Sequence, residues 1–136
     1  MKNIRIAAVM LQAPVGRVDD NLAAVVAWTR RARQAGARLV CFPEMALTGY
    51  STRGSLADYV MSTDGPVADI LQQLAEREAI TILVGTAESA KAGRAYAAHG
   101  VVRPRAPIAV YRKTHIAPPE ARTLVPGDRV PIFKDG

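Results

Sequence analysis

The sequence has a single cysteine, Cys41, so no disulfide can form within the chain. One thiol is compatible with a reducing compartment. The sequence also lacks a run of about 18 apolar residues and the apolar core of a signal peptide. These absences argue against a membrane-spanning or disulfide-stabilised secreted protein. We therefore expect a soluble cytoplasmic protein.

Aromatic residues are scarce, at 5%, whereas 18 basic residues outnumber 12 acidic ones and give a formal net charge of +6. Such an excess can indicate nucleic-acid or membrane binding. The arginines are dispersed, however. The densest group, Arg30, Arg31 and Arg33, falls at the end of a predicted helix, where cations complement the helix dipole. Because no basic stretch is interleaved with aromatics, we expect no nucleic-acid and no membrane partner.

Short apolar runs alternate with amphipathic segments, which is typical of the α/β class. The pattern predicts strands at 5–11, 38–42, 80–86, 95–102 and 107–111, a strand beginning at 130–133, and helices at about 19–35 and 66–78. Gly36 would end the first helix, and Pro66 would begin the second. Strand, helix and strand with tight links predict a parallel βαβ unit. Two helices can cover only about one face of such a sheet, so we expect a partner chain or further sequence on the other.

Two predicted strands are each followed by a side chain that could take part in a reaction. Glu44 directly follows Pro43 after the second strand, and Lys113 follows the strand predicted to end at Tyr111. Open α/β sheets form their ligand crevice outside the carboxyl ends of the strands. A carboxylate there could act as a base, and an ammonium could stabilise an oxyanion. Taken alone, each residue is more often an ordinary surface side chain.

Three short sequence blocks, found one after another along the chain, favour a role in a functional site for Glu44 and Lys113 over an ordinary surface position. FPEMALTGY at 42–50 is followed about seventy residues later by YRKTHI at 111–116, and then by EARTLVPG at 120–127. In the last block a glutamate stands seven residues before the glycine of a Pro-Gly turn. Together the blocks resemble the nitrilase superfamily of carbon-nitrogen hydrolases. The opening strand, its helix and the VGTAE segment also occur in the expected order, so the resemblance covers essentially the whole chain.

The resemblance implies a fold and a reaction. The fold is a four-layer α-β-β-α sandwich, of which residues 1–136 would form the N-terminal half of a single domain, incomplete at the C-terminus. In this family a cysteine thiolate attacks the carbon of an amide, nitrile or N-carbamoyl group, and water then hydrolyses the thioester-type intermediate. No metal or organic cofactor is implied. The expected partners are a small-molecule amide or nitrile substrate and further copies of the same chain, as a homo-oligomer.

The same resemblance implies the roles of individual residues. Glu44 is the general base, Lys113 stabilises the tetrahedral intermediate, and Glu120 is a second carboxylate that shapes the site. A lysine between carboxylates stays protonated and can serve as a fixed positive charge. Tyr50, at the end of the first block, is a candidate to line the substrate entrance, with packing as the alternative.

The nucleophile is the part of this pattern that the 136 residues do not include. In the family it follows a strand located after the Pro-Gly turn, and this sequence reaches Gly136 first. Cys41 lies inside the apolar run RLVCF, so we interpret it as a buried structural thiol. We therefore expect the chain to be inactive alone and the hydrolase activity to belong to a longer protein.

Two other functions stay open from the residues alone. The chain could be a non-catalytic half-domain that binds a partner or a small acidic ligand through Lys113 and nearby arginines. A nucleic-acid binder, based on the net charge, is the weakest alternative. No His, Cys and Asp spacing indicates a metal site, and no P-loop or G-x-S-x-G segment occurs. Of the two histidines, His99 and His115, the second is interpreted as a hydrogen-bonded structural residue.

Overall fold

Five strands form one mixed sheet in the computed structural model, which describes residues 3–53, 56, 59, 61–62 and 64–133. In chain order, which is also their order in the sheet, they are β1 (Ile6–Ala8), β2 (Leu39–Cys41), β3 (Thr81–Ser89), β4 (Ala95–Val102) and β5 (Ala109–Arg112). β1, β2 and β3 are parallel, whereas β4 is antiparallel to both β3 and β5. β5 therefore runs in the same direction as β2, and their carboxyl ends lie at the same edge of the sheet.

Two helices, α1 (Val18–Gln34) and α2 (Pro66–Glu78), connect the parallel strands. α1 has acidic residues in its first turn and basic residues in its last, which stabilises it through the helix dipole. Gly36, just beyond it, has a φ of +82°, a conformation that glycine adopts without strain. The predicted parallel βαβ unit and both helices are confirmed. Among the described residues, neither helix is long and apolar enough to cross a membrane.

Both helices pack on the same face of the sheet. Val25 of α1 and Leu71 of α2 are buried against Val40, Ile82 and Val84 of the central strands. The opposite face carries a second, smaller cluster near the carboxyl ends of β2 and β5, formed mainly by residues of the connecting loops and the ends of β3 and β4. The rest of this face is an apolar groove of about 460 Å³. As expected, two helices cover one face and leave most of the other open.

Three sequence predictions are wrong in detail. The apolar run 5–11 predicts a buried strand, but β1 is the edge strand, and Ile6 is exposed because none of the residues that the structure describes covers that face of β1. Helical spacing from Val67 predicts that Ile70 lies on the apolar face of α2, but Ile70 is exposed at the margin of that face. Residues 130–133 form no strand, and Ile132 is exposed. An apolar run needs a neighbouring strand to pair with, and the described part of the sheet offers none there.

Candidate active site

Three charged side chains meet at the edge where β2 and β5 end. Lys113 Nζ lies 3.0 Å from Glu44 Oε1 and 2.9 and 3.0 Å from the two carboxylate oxygens of Glu120. Tyr50 Oη donates a hydrogen bond of 2.9 Å to Glu120 Oε1. All four residues singled out in the sequence are thus brought into one hydrogen-bonded cluster. It comprises a lysine between two carboxylates, with a tyrosine on the second carboxylate.

Glu120 is the buried member of the cluster, with a side chain only 5% exposed. Burial alone would raise the pKa of its carboxyl group. Hydrogen bonds from Lys113, from the Ala117 N–H at 2.9 Å and from Tyr50 outweigh that effect and lower the pKa. Glu120 therefore stays ionised and acts as a fixed acceptor, because hydrogen bonds that favour the charged form hold it there.

The hydrogen bonds to Glu120 also determine the protonation of the two side chains that donate them, Lys113 and Tyr50. The hydrogen bond to Glu120 raises the pKa of Lys113; burial acts against this, and the hydrogen bond to Glu44 adds to it. The lysine consequently remains a cation. The pKa of Tyr50 is also raised, chiefly because its hydroxyl donates to Glu120, so the tyrosine remains a neutral donor.

Glu44 differs from Glu120 in its exposure. Its side chain is 40% exposed, and it contacts Lys113 through a single oxygen. One carboxylate of the cluster is thus enclosed by donors, while the other faces the open side. Proton exchange with an arriving molecule requires access as well as a suitable group. Glu44 is the carboxylate of the cluster that has this access.

The loop that carries Glu44 crosses directly over β3 at Gly85. A Cβ atom on Gly85 would lie 2.5 Å from Met45 N, and closer still to Pro43 O. The Leu47 N–H donates a hydrogen bond of 3.0 Å to the Gly85 carbonyl, which ties the loop to the strand. The position of Glu44 therefore depends on the absence of a side chain in the middle of the neighbouring strand.

We expect Gly85→Ala to destabilise the chain by about 1–3 kcal/mol, because the added methyl group overlaps backbone atoms that cannot rotate away. Urea unfolding of the purified chain measures the loss. Gly100→Ala in β4 is the matched control, since a Cβ there would meet Val84 Cγ1 at an ordinary 3.7 Å. Equal midpoints for the two variants would contradict a close approach of the loop at Gly85.

A second loop brings Glu120 to Lys113. Residues 123–125 exchange backbone hydrogen bonds of 3.0 and 2.9 Å with Ala95, the first residue of β4. The Gly127 N–H donates to the Lys113 carbonyl at 2.8 Å, and a Cβ on Gly127 would overlap Arg112. The Pro-Gly turn is thus fitted against the end of β5. This docking explains why a glutamate seven residues earlier lies beside the lysine.

Several residues that hold these loops were not predicted from the sequence. Buried Asn21 of α1 donates 3.0 Å hydrogen bonds to the carbonyls of Pro14 and Leu47. Buried Thr48 accepts one of 3.0 Å from the Ala87 N–H. For Asn21, the sequence offered one signal: a polar residue beside the apolar stripe of α1. An amide at such a position is buried and needs hydrogen-bond partners.

The remaining candidate residues lie apart from the cluster. Cys41 is half-buried rather than buried, because it lies on the open face of the sheet, where its Sγ is 3.7 Å from the Phe42 carbonyl. His115 is exposed, with Nδ1 3.0 Å from Thr114 Oγ1. Within the described ranges, no group of three or more His, Cys, Asp or Glu residues could hold a metal ion.

Fold and cluster together describe an α/β protein with a lysine between two carboxylates at the carboxyl edge of its sheet. The chain belongs to the carbon-nitrogen hydrolase family, whose sequence model matches residues 5–135. It is 31% identical over 129 residues to a nitrilase from Pyrococcus abyssi (strain GE5 / Orsay), covering 92% of this chain and 48% of the nitrilase. It is 33% identical over 91 residues to an (R)-stereoselective amidase from Pseudomonas sp, covering 67% of this chain and 33% of the amidase.

Solved structures show the same fold. An amidase from Nesterenkonia sp. superposes with a TM-score of 0.79 at 21% identity, over 98% of this chain and 51% of the amidase. The chain therefore spans about half of that structure, and half or less of the curated relatives above. Its helix layer and sheet layer correspond to part of an α-β-β-α sandwich.

Proposed function

We propose that residues 1–136 form the N-terminal half of a single hydrolase domain and supply its acid–base and oxyanion-stabilising groups. The domain would hydrolyse non-peptide C–N bonds of amides, nitriles or N-carbamoyl compounds through a cysteine. The observation that carries the proposal is the position of Lys113 Nζ, within 3.0 Å of both Glu44 and Glu120. A nitrilase and an amidase among the relatives support the substrate class.

In the proposed mechanism Glu44 accepts the proton of the cysteine thiol. A free thiol has a pKa of about 8.5 and is mostly protonated at neutral pH, so a base is needed to generate the thiolate. The sulfur attacks the amide carbon, and the carbonyl oxygen becomes an oxyanion that the Lys113 ammonium stabilises. Glu44 returns the proton to the departing nitrogen, and the C–N bond breaks. Water, deprotonated by Glu44, then hydrolyses the thioester and releases the acid and the thiol.

Glu120 and Tyr50 have supporting roles in this proposal. Glu120 contacts Lys113 with both oxygens and so orients its ammonium. Tyr50 directs its hydroxyl to Glu120, while its half-exposed ring remains available to line the substrate entrance. The tyrosine would thus contact substrate through its ring and the cluster through its oxygen.

A non-catalytic half-domain that binds an acidic ligand fits the cluster less well. Such a ligand would need a cation that is free to pair with it, but Lys113 already lies between two carboxylates. We further propose that the complete protein is a cytoplasmic homo-oligomer, as the family resemblance implies. The hydrolase proposal needs no metal or organic cofactor.

The test compares two lengths of the protein. We expect the purified 136-residue chain to show no turnover of amides or nitriles, because the proposed nucleophile lies outside it. A version carrying the remaining half of the domain, with its cysteine, is expected to hydrolyse simple amides or nitriles; we call it the extended protein. Ammonia release measures both. Hydrolysis by the 136-residue chain, abolished when Cys41→Ala is introduced, would overturn the assignment of the nucleophile.

A further inference from the structure

A histidine outside the charged cluster contacts the backbone that leads to Glu44. His99 lies in β4, directly opposite Gly85 of β3. Its Nε2 is 3.1 Å from the carbonyl oxygen of Phe42, the residue that follows β2. A carbonyl oxygen only accepts hydrogen bonds, so Nε2 must carry the proton and donate it. The imidazole thus reaches across β3 to the end of β2.

The register of the sheet makes this contact possible. Cross-strand partners in an antiparallel pair direct their side chains to the same face, so His99 lies beside the space above Gly85. The backbone of Pro43 and Met45 fills that space. His99 therefore lies beside the loop that carries Glu44 across β3. Its hydrogen bond is to the Phe42 carbonyl, the last one before the loop crosses the strand.

The hydrogen bond from His99 acts on the Phe42–Pro43 peptide, which determines the direction of the loop that carries Glu44. The Phe42 N–H donates to the Leu83 carbonyl at 2.8 Å, which holds one side of Phe42 to β3. The imidazole holds its carbonyl, and so orients the plane of the Phe42–Pro43 peptide. Because the proline ring restricts the next φ angle, that plane largely determines where Glu44 begins. The Cys41 thiol is only a weak competing donor, at 3.7 Å from the same oxygen.

We propose that His99 is a positioning residue: it holds the Phe42 carbonyl so that Glu44 Oε1 meets Lys113 and faces the reacting thiol. This inference rests on the proposed function, since it assigns His99 a role through the general base. Misplacing a catalytic group by about 1 Å can lower a rate by about 100-fold. His99 thus affects kcat without contacting the substrate.

The test uses three variants of the extended protein. His99→Leu removes the donor and keeps a side chain of moderate size, whereas His99→Gln retains an N–H donor. His115→Leu is the matched control, because that histidine is exposed and lies outside the cluster. We expect His99→Leu to lower kcat by about 10- to 100-fold with KM within about threefold of the parent. We expect His99→Gln to recover most of the loss and His115→Leu to leave kcat unchanged.

A spectroscopic measurement separates this inference from the proposed function. Labelling with 13C-carbonyl phenylalanine and 15N-proline selects the Phe42–Pro43 peptide, the one Phe-Pro pair in these 136 residues. We expect its carbonyl shift to move in His99→Leu and to return toward the parent value in His99→Gln. An unmoved shift in folded His99→Leu, or a kcat equal to that of the parent, overturns the inference. Normal turnover by Glu44→Gln overturns the proposed function instead, whatever the carbonyl shift shows.

Discussion

Glu44→Gln will lower kcat of the extended protein by about 100- to 10,000-fold, the range that general-base catalysis contributes. Glutamine has nearly the same shape as glutamate but cannot accept a proton at neutral pH. It can still accept a hydrogen bond from Lys113 through its amide oxygen. Because Glu44 is 40% exposed and contacts the cluster through one oxygen, the fold should tolerate the change. Steady-state ammonia release, with KM determined separately, measures the effect.

Glu88→Gln is a suitable control for this variant. Glu88 pairs with Arg112 through two hydrogen bonds of 2.6 Å near the same edge of the sheet, but it has no contact with Lys113 among the described bonds. Removing its charge perturbs an ion pair of similar kind outside the proposed chemistry. Glu88→Gln should therefore retain kcat within about threefold. Equal rates for Glu44→Gln and the parent protein would refute a general-base role for Glu44.

The three charged residues of the cluster could be predicted because their signals are local in the sequence. Glu44 and Lys113 each follow an apolar strand, and the resemblance to the nitrilase superfamily singled out Glu120, seven residues before the glycine of a Pro-Gly turn. The parallel direction of β2 and β5 then brings the first two to one edge of the sheet. Strand ends and turns could be recognised without knowing which strands pair.

Gly85 and His99 could not be predicted in this way. Their roles depend on the register between β3 and β4 and on the path of a loop from β2, none of which a local pattern encodes. A shift of one residue would turn His99 to the helix-covered face and remove its contact with Phe42. The failed strand at 130–133 has a related cause, since a strand is defined by its neighbours. Signals in the sequence thus predicted which charged side chains meet, but not the residues that hold them in place.

Lys113→Ala will lower kcat of the extended protein by about 100- to 1000-fold, the usual effect of removing a donor from a developing oxyanion. It will also destabilise the fold, because Glu120 remains buried without its cation. Hydrogen bonds to charged groups contribute about 1.5–3 kcal/mol, and Glu120 keeps two other donors, so the variant should still fold. Lys113→Met, which retains more of the packing, should be as inactive. Lys91→Ala, at an exposed turn, is the control and should leave kcat unchanged.

The pH dependence of the free energy of unfolding shows whether the Lys113–Glu120 ion pair is responsible for the expected loss of stability. The pKa of Glu120 is lower in the folded chain than in the unfolded one. Its contribution to stability is therefore present above the unfolded pKa of about 4.3 and is lost as the pH falls through the folded value. Without Lys113, burial acts against fewer hydrogen bonds and the folded pKa rises. Urea midpoints should then fall less between about pH 7 and pH 3 in Lys113→Ala than in the parent chain. Parallel pH profiles combined with a normal kcat would show that Lys113 neither holds Glu120 ionised nor stabilises the intermediate.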